Sequence, residues 1–202
     1  MPKKLADVFL NIPYDASFEN LFLSYIAGLS ALGLAPRATL EIPGSLRRLE
    51  KIVELIGGCR YSIHDLSRVE LHLSAPRTPR FNMPFELGLT VARYWKARAG
   101  KHDWFVCETR RLRVLKSLSD LNGTDPYIHN GSVIGVFREL KNMFERTGAH
   151  PTTREMKRIY LALQERKRSI LADSGAKEIY NKRVFQDLAL AGAEFASDFR
   201  QN

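Results

Sequence analysis

The chain of 202 residues is poor in cysteine, has no long apolar run and concentrates no charge of one sign in a tail. Its two cysteines, Cys59 and Cys107, form neither a CxxC pair nor a metal-ligand spacing, which argues against a disulfide scaffold and leaves no metal site to expect. Such usage fits buried thiols in a reducing cytoplasm. No apolar stretch reaches the ~18 residues that a membrane helix needs, so no membrane partner is expected. Met1-Pro2-Lys3-Lys4 carries two lysines, but the apolar stretch behind it is short and interrupted by Asp7 and Asn11, a poor secretion signal. A cytoplasmic location follows as the expectation. Also missing are GxGxxG after the first strand, GxxxxGK[ST], HExxH and GxSxG. The classical dinucleotide-fold, P-loop, zinc-protease and serine-elbow hydrolase readings are therefore weak, and no resident cofactor is implied.

What is present is ordinary globular material: 45% hydrophobic and 26% charged residues, in a length that suits one domain or one domain with an appendage. The formal charge is +9. Residues 1–100 carry 13 Lys+Arg against 9 Asp+Glu, and residues 101–202 carry 18 against 13. An excess spread this evenly fits attraction for phosphate-bearing ligands as well as it fits a nucleic-acid footprint. Arg154, Lys157, Arg158, Arg166, Lys167 and Arg168 are the best nucleic-acid candidates. They surround an apolar stripe of Met156, Ile159, Tyr160 and Leu163, as a solvated helix face would, so nucleic acid is not the expected partner.

Periodicity lays out an alternating pattern. Asp7 to Ile12 is a short apolar strand stopped by Pro13. Ser17 can cap a helix from Phe18 to Leu32, which Gly33 ends. Ala35 to Ile42 reads as the second strand. Ser45 can cap a helix from Leu46 to about Ile56, with Leu49, Ile52, Val53 and Ile56 as its inner stripe. Cys59 to Asp65 is the third strand, followed by a polar loop from Ser67 to Arg80. A helix opens at Asn82 or Met83 and runs to about Ala97, with Pro84 tolerated in its first turn. His102 to Glu108 is the fourth strand, and a short helix or turn covers Leu112 to Leu118. Asn122 to Pro126 is a turn, and residues 132–146, 152–172 and 181–199 read as helices, the second with a Thr152–Glu155 capping box. Strand–helix alternation of this kind builds a parallel sheet through right-handed crossovers, and its ligands bind beyond the carboxyl ends of the strands. The expected organisation is an α/β domain over residues 1–146 with a C-terminal helical extension, residues 147–202, packed on it.

That sheet edge would gather Asn11 to Asp15, Asp65 to Ser67 and the start of the helix carrying Glu86. Glu86, among Met83, Phe85 and Leu87 in a first turn, could serve as a nucleophile or as a partner for a cationic sugar; a helix dipole alone also favours an acid there. Asp65 could hold a ribose hydroxyl, or fix its own loop through an Asx contact. His64 faces away from Asp65 if the strand continues that far, which makes it structural. His129 could reach the site edge, although a lone loop histidine is most often a surface residue. Arg68 and Arg80 flank the loop, where a phosphate could meet them.

Tyr61-Ser62-Ile63-His64-Asp65-Leu66-Ser67, a proline-containing loop, and Phe81-Asn82-Met83-Pro84-Phe85-Glu86-Leu87-Gly88 together resemble the "DLS/DLT … N-x-x-x-E-L-G" arrangement of TIR-like and nucleoside 2-deoxyribosyltransferase-like proteins. Val8 to Asp15 resembles their first strand and loop, and the likeness covers roughly residues 7 to 146. The resemblance implies a flavodoxin-like sheet and a glutamate, here Glu86, that attacks or stabilises the anomeric carbon of an N-ribosyl bond. It implies Asp65 as a supporting carboxylate for the sugar. Asn11, Tyr14 and Asn82 would line the nucleotide pocket, with Asp15, Ser67, Arg80 and Met83 beside them. The implied activity is NAD cleavage in bacterial immunity or base exchange on nucleosides, with NAD or a nucleotide as substrate and self-association in keeping with the relatives. The loop from Arg68 to Arg80 is longer than in compact deoxyribosyltransferases, and Pro84 sits inside the motif. A TIR-like module that senses a nucleotide or mediates assembly without catalysis is the alternative.

Overall fold

The computed structural model describes residues 5–44, 47–68, 81–96, 101–121, 123–147 and 149–201. Its centre is a wholly parallel sheet of β1 (Ala6–Asn11), β2 (Leu34–Ala38), β3 (Tyr61–Asp65), β4 (Asp103–Glu108) and β5 (Tyr127–Ile128), in the order β2-β1-β3-β4-β5. Helices flank it: α1 (Glu19–Ala31), α2 (Arg48–Gly58), α3 (Asn82–Lys96), α4 (Arg113–Ser117) and α5 (Val133–Met143). This is the flavodoxin-like α/β fold. Strand alternation feeds both faces. Val8, Leu10 and Ile63 point into the large core beneath α1 and α5, while Phe9 points to Ile52 and Ile56 of α2 on the other face.

A third layer explains why α1 is apolar nearly all round. Its residues from Leu21 to Ala31 are buried, because the helix is sandwiched between the sheet and the pair α6 (Thr153–Ser174) and α7 (Lys182–Gln201). The closeness of the layers is visible at Gly192 of α7, where an added β-carbon would come within 2.7 Å of the Ser30 hydroxyl on α1. The Thr152–Glu155 capping box starts α6: the Glu155 N–H donates to Thr152 Oγ1 at 3.2 Å, and the Thr152 N–H donates back to the Glu155 carboxylate at 2.6 Å. Gly175, at φ +66°, ends it.

Four local expectations need correction. β2 stops at Ala38, and residues 39–41 form a single 3-10 turn, because Glu41 folds back onto the Ala38 N–H at 3.0 Å and onto the Arg37 guanidinium at 2.9 Å. Ser17 does not cap α1; its hydroxyl donates to the Asp15 carboxylate at 2.5 Å, and a 3-10 turn over residues 16–18 leads into the helix. On α2 only Ile52 and Ile56 are buried, whereas Leu49 and Val53 are exposed, one helical step away from the face that meets the sheet. The fifth strand was not anticipated, since two residues carry no periodicity. The expected Ser45 cap, most of the Arg68–Arg80 loop and the Asn122 end of the turn lie outside the described residues.

Among the described residues no helix is long and apolar enough to cross a membrane.

Candidate functional site

β2 lies on one side of β1 and β3 on the other, so the loops that leave β1 and β3 diverge and open a crevice at the carboxyl edge. A cavity of about 410 Å³ occupies it. Asn11 at the end of β1, Ile12 to Tyr14 after it, Thr39 after β2, Arg48, Leu49 and Ile52 of α2, and Asn82, Met83, Phe85 and Glu86 of α3 line its wall. Five expected site residues therefore meet in one place: Asn11, Tyr14, Asn82, Met83 and Glu86. Thr39, Arg48 and Leu49 were missed, because an apolar stripe reveals which side of a helix is inward but not which end overlooks a ligand.

α3 begins at Asn82, with the Phe85 N–H bonded to the Phe81 carbonyl at 2.9 Å. Glu86 is thus the fifth helical residue, past the first turn, where the expectation had placed it. The helix dipole fades beyond the first turn and does not account for an acid there. Burial dominates instead and pushes the Glu86 carboxyl up to about 7, against a smaller opposing pull from the Arg48 guanidinium. Arg48 is anchored to the rim, donating to the Ile42 carbonyl at 3.1 Å. Tyr14 faces the same space, its hydroxyl 3.3 Å from Thr39 Oγ1. Burial, reinforced by the negative charge of Glu86, holds its phenol well above the ordinary tyrosine range, so Tyr14 stays a neutral hydroxyl.

Asp65 is elsewhere. It is fully buried on the α1 face of the sheet and does not line the cavity. One carboxylate oxygen accepts from the Tyr25 hydroxyl at 2.8 Å and from His129 Nε2 at 3.0 Å. The other accepts from the Ser67 N–H at 3.0 Å and from the Ser67 hydroxyl. His129 is oriented by the Gly131 N–H, which donates to its Nδ1 at 3.1 Å and leaves the ring hydrogen on Nε2 for Asp65. Burial alone would raise the Asp65 carboxyl, but the bonds from His129, Ser67 and Tyr25 outweigh it and hold the group below its ordinary value. The Asx-type loop contact is therefore real, and His129 is a buried structural partner rather than a surface residue. Ser67 belongs to the same knot. Asp15 pairs with Arg68, whose guanidinium reaches its two carboxylate oxygens at 3.0 and 3.2 Å, and is not a wall residue of the cavity. Arg80 lies outside the described residues.

His64 is on the opposite face from Asp65, as strand alternation requires, and its Nδ1 meets the Asn11 amide nitrogen at 2.9 Å. Of the basic residues on α6, Lys167 pairs with Glu19 and Arg158 stacks over Phe199 at 4.1 Å, so part of that charge serves packing. Cys59 and Cys107 are buried free thiols, and among the described residues no group of His, Cys, Asp or Glu could hold a metal ion.

Compared with known protein families, with curated proteins and with solved structures, the chain matches none.

Proposed function

We propose that the cavity binds a nucleotide or NAD and that Glu86 acts on its N-glycosidic bond. The observation that carries this is a carboxyl raised to about 7 by burial, on the wall of a cavity at the carboxyl edge of a parallel sheet. A desolvated carboxylate beside C1′ stabilises the oxocarbenium-like carbon or bonds to it, while the C–N pair departs with the base; the cationic nicotinamide ring of NAD is neutralised by that pair, whereas a neutral nucleotide base takes up a proton. Water or an acceptor hydroxyl then attacks C1′, and the sugar leaves as the free or transferred product. Arg48 suits a phosphate at the rim, and Phe85 offers an aromatic surface to a base. The class is an N-glycosidase or ribosyltransferase of the cytoplasm, with bacterial defence or signalling as the setting that the motif resemblance supplies. Mass spectrometry of NAD, nucleosides and nucleotides incubated with the wild-type chain and with Glu86→Gln tests it. Turnover by the wild type and loss in the variant are expected, and an inert wild type rejects it.

A specific observation favours a second reading, binding without turnover. Asp65 is consumed by Tyr25, Ser67 and His129, which leaves Glu86 as the single acid among the described cavity residues. The exposed Leu49 and Val53 of α2, Phe85 of α3 and Phe81 just before it give such a sensing or assembly module apolar surface, with Leu49 and Phe85 on the cavity wall. Nucleotide-induced thermal stabilisation or self-association, with no product formed, separates it from the enzyme.

A further inference from the structure

Asn11 ends β1 at the cavity wall and is almost wholly buried. Its side-chain nitrogen Nδ2 lies 2.9 Å from the Met83 carbonyl oxygen and 2.9 Å from His64 Nδ1. A main-chain carbonyl only accepts, so the nitrogen and not the oxygen of the amide must face Met83. That nitrogen has two hydrogens and no acceptor capacity, so His64 Nδ1 has to accept the second. The His64 ring hydrogen is thereby assigned to Nε2, a buried atom with no partner among the described residues. The ring is held in place edge-on to Phe9, with centroids 6.0 Å apart. With both amide hydrogens of Asn11 spent inward, its Oδ1 is the atom left to serve the cavity.

We infer that His64 is a positioning residue which, through Asn11, fixes this part of the cavity wall as a hydrogen-bond acceptor, so that the site selects ligands presenting a hydroxyl or amino hydrogen there. The inference rests on the nucleotide reading of the cavity and specifies the ligand's side of it. The other imidazole tautomer would set an N–H against the Asn11 amide hydrogens, and turning the amide over would set two oxygens against each other at Met83. Neither arrangement is stable between side chains as buried as Asn11 and His64. The bond from Asn11 to the Met83 carbonyl also holds the start of α3, three residues before Glu86, so the acceptor and the carboxyl are placed by one connection. Two acceptors, Asn11 Oδ1 and the ionised Glu86, together with the Arg48 cation, match a ligand that offers hydroxyl hydrogens at one end and an anion at the other. A pentose phosphate with free ring hydroxyls has that pattern; its dideoxy counterpart does not.

The test uses the full ¹⁵N-labelled chain. Long-range ¹H–¹⁵N spectra read the His64 tautomer, and calorimetry compares AMP with 2′,3′-dideoxy-AMP for wild type, His64→Leu and His64→Gln, each checked for folding by circular dichroism. The Nε2–H tautomer is expected, with dideoxy-AMP bound at least about tenfold more weakly by the wild type, since a site built to pair a hydroxyl rejects its absence. The preference should shrink to within about threefold in His64→Leu and return in His64→Gln, whose side-chain oxygen again accepts from Asn11. Should His64→Leu fail to fold, the tautomer, the wild-type ratio and His64→Gln still decide. An Nδ1–H tautomer, or equal affinity of the wild type for the two nucleotides, overturns the inference while leaving nucleotide binding intact. A wild type that binds neither nucleotide overturns both.

Discussion

The Tyr180 hydroxyl donates to the main-chain carbonyl of Asp15 at 2.5 Å, tying the connection between α6 and α7 to the loop that presents Tyr14 to the cavity. The Tyr180 ring also packs on Tyr14, 5.6 Å between centroids, and on Phe22 at 5.3 Å. The C-terminal helices thus reach the edge of the candidate site as well as covering α1. Tyr180→Phe keeps the ring contacts and removes only the hydroxyl. It should cost about 1 kcal/mol of stability, the net worth of one such bond. Nucleotide affinity should fall several-fold because the Tyr14 loop loses an anchor. Thermal melting and calorimetric titration with AMP would show this, and an unchanged affinity would mean that the loop is held without Tyr180.

Glu86→Gln separates chemistry from folding through the sign of its pH dependence. The folded carboxyl holds its proton to about 7, whereas its ordinary value is 4.5, so the folded state binds more protons between these limits. Wild-type stability therefore declines as pH rises from about 4.5 to 7, and the neutral glutamine escapes that loss. At pH 8 the variant should be the more stable by roughly 1–2 kcal/mol, taking ~1.4 kcal/mol per unit and discounting for partial exposure. At pH 4 the two should melt alike. Turnover should fall by at least about 10²-fold, as for loss of a group that touches the reacting atoms. Melting curves across pH, paired with mass-spectrometric turnover, check both halves.

The order of elements was legible because each long segment has one dominant period. Asp7 to Ile12 is a mostly apolar run of strand length, Cys59 to Asp65 alternates apolar Cys59, Tyr61 and Ile63 with polar residues, and the Phe18–Leu32 repeat fits a helix. The meeting of Asn11, Tyr14 and Glu86 followed from topology, which sends the ends of all parallel strands to one edge. What stayed hidden depends on which way side chains turn and on partners distant in sequence. Asp65 was assigned to the same edge correctly, yet it turns to the α1 face, where Tyr25 and His129 meet it. A lone loop histidine gives no local sign of such a partner. Arg48 stands at the start of an amphipathic helix, where charge is ordinary, and only the fold of residues 39–42 brings it over the cavity. Tyr180 lies 165 positions from Asp15, beyond the reach of any periodicity.

Asp65→Asn should damage the fold more than it informs on chemistry. The carboxylate accepts from Tyr25, His129 and twice from Ser67, all donors. An amide would point two of its own hydrogens at them, at a cost of about 3 kcal/mol or more for a buried group left mismatched. Because the folded carboxyl lies below its ordinary 3.8, its contribution is complete above that value and disappears as pH falls through the folded one. Urea unfolding should therefore show a large gap between wild type and variant at pH 7 that narrows toward pH 2. A variant as stable as the wild type at pH 7 would show that the knot is not what holds this edge together.

Arg48→Met tests the electrostatics of the cavity without emptying its rim, since methionine retains much of the apolar stem. Arg48 is the charge that opposes burial at Glu86, so its removal should carry the Glu86 carboxyl above 7. If the ionised form of Glu86 is the active one, the rising limb of the pH–rate profile should move to higher pH in the variant. AMP binding should weaken by about tenfold, a modest charge-assisted contact at a partly solvated rim, while adenosine binding stays level. The two effects are separable, since one is read from ¹³C titration of the Glu86 carboxyl and the other from the AMP-to-adenosine ratio. A carboxyl that titrates at the same pH in both proteins would show that Arg48 does not act on Glu86. Equal losses for AMP and adenosine would place the phosphate somewhere other than beside Arg48.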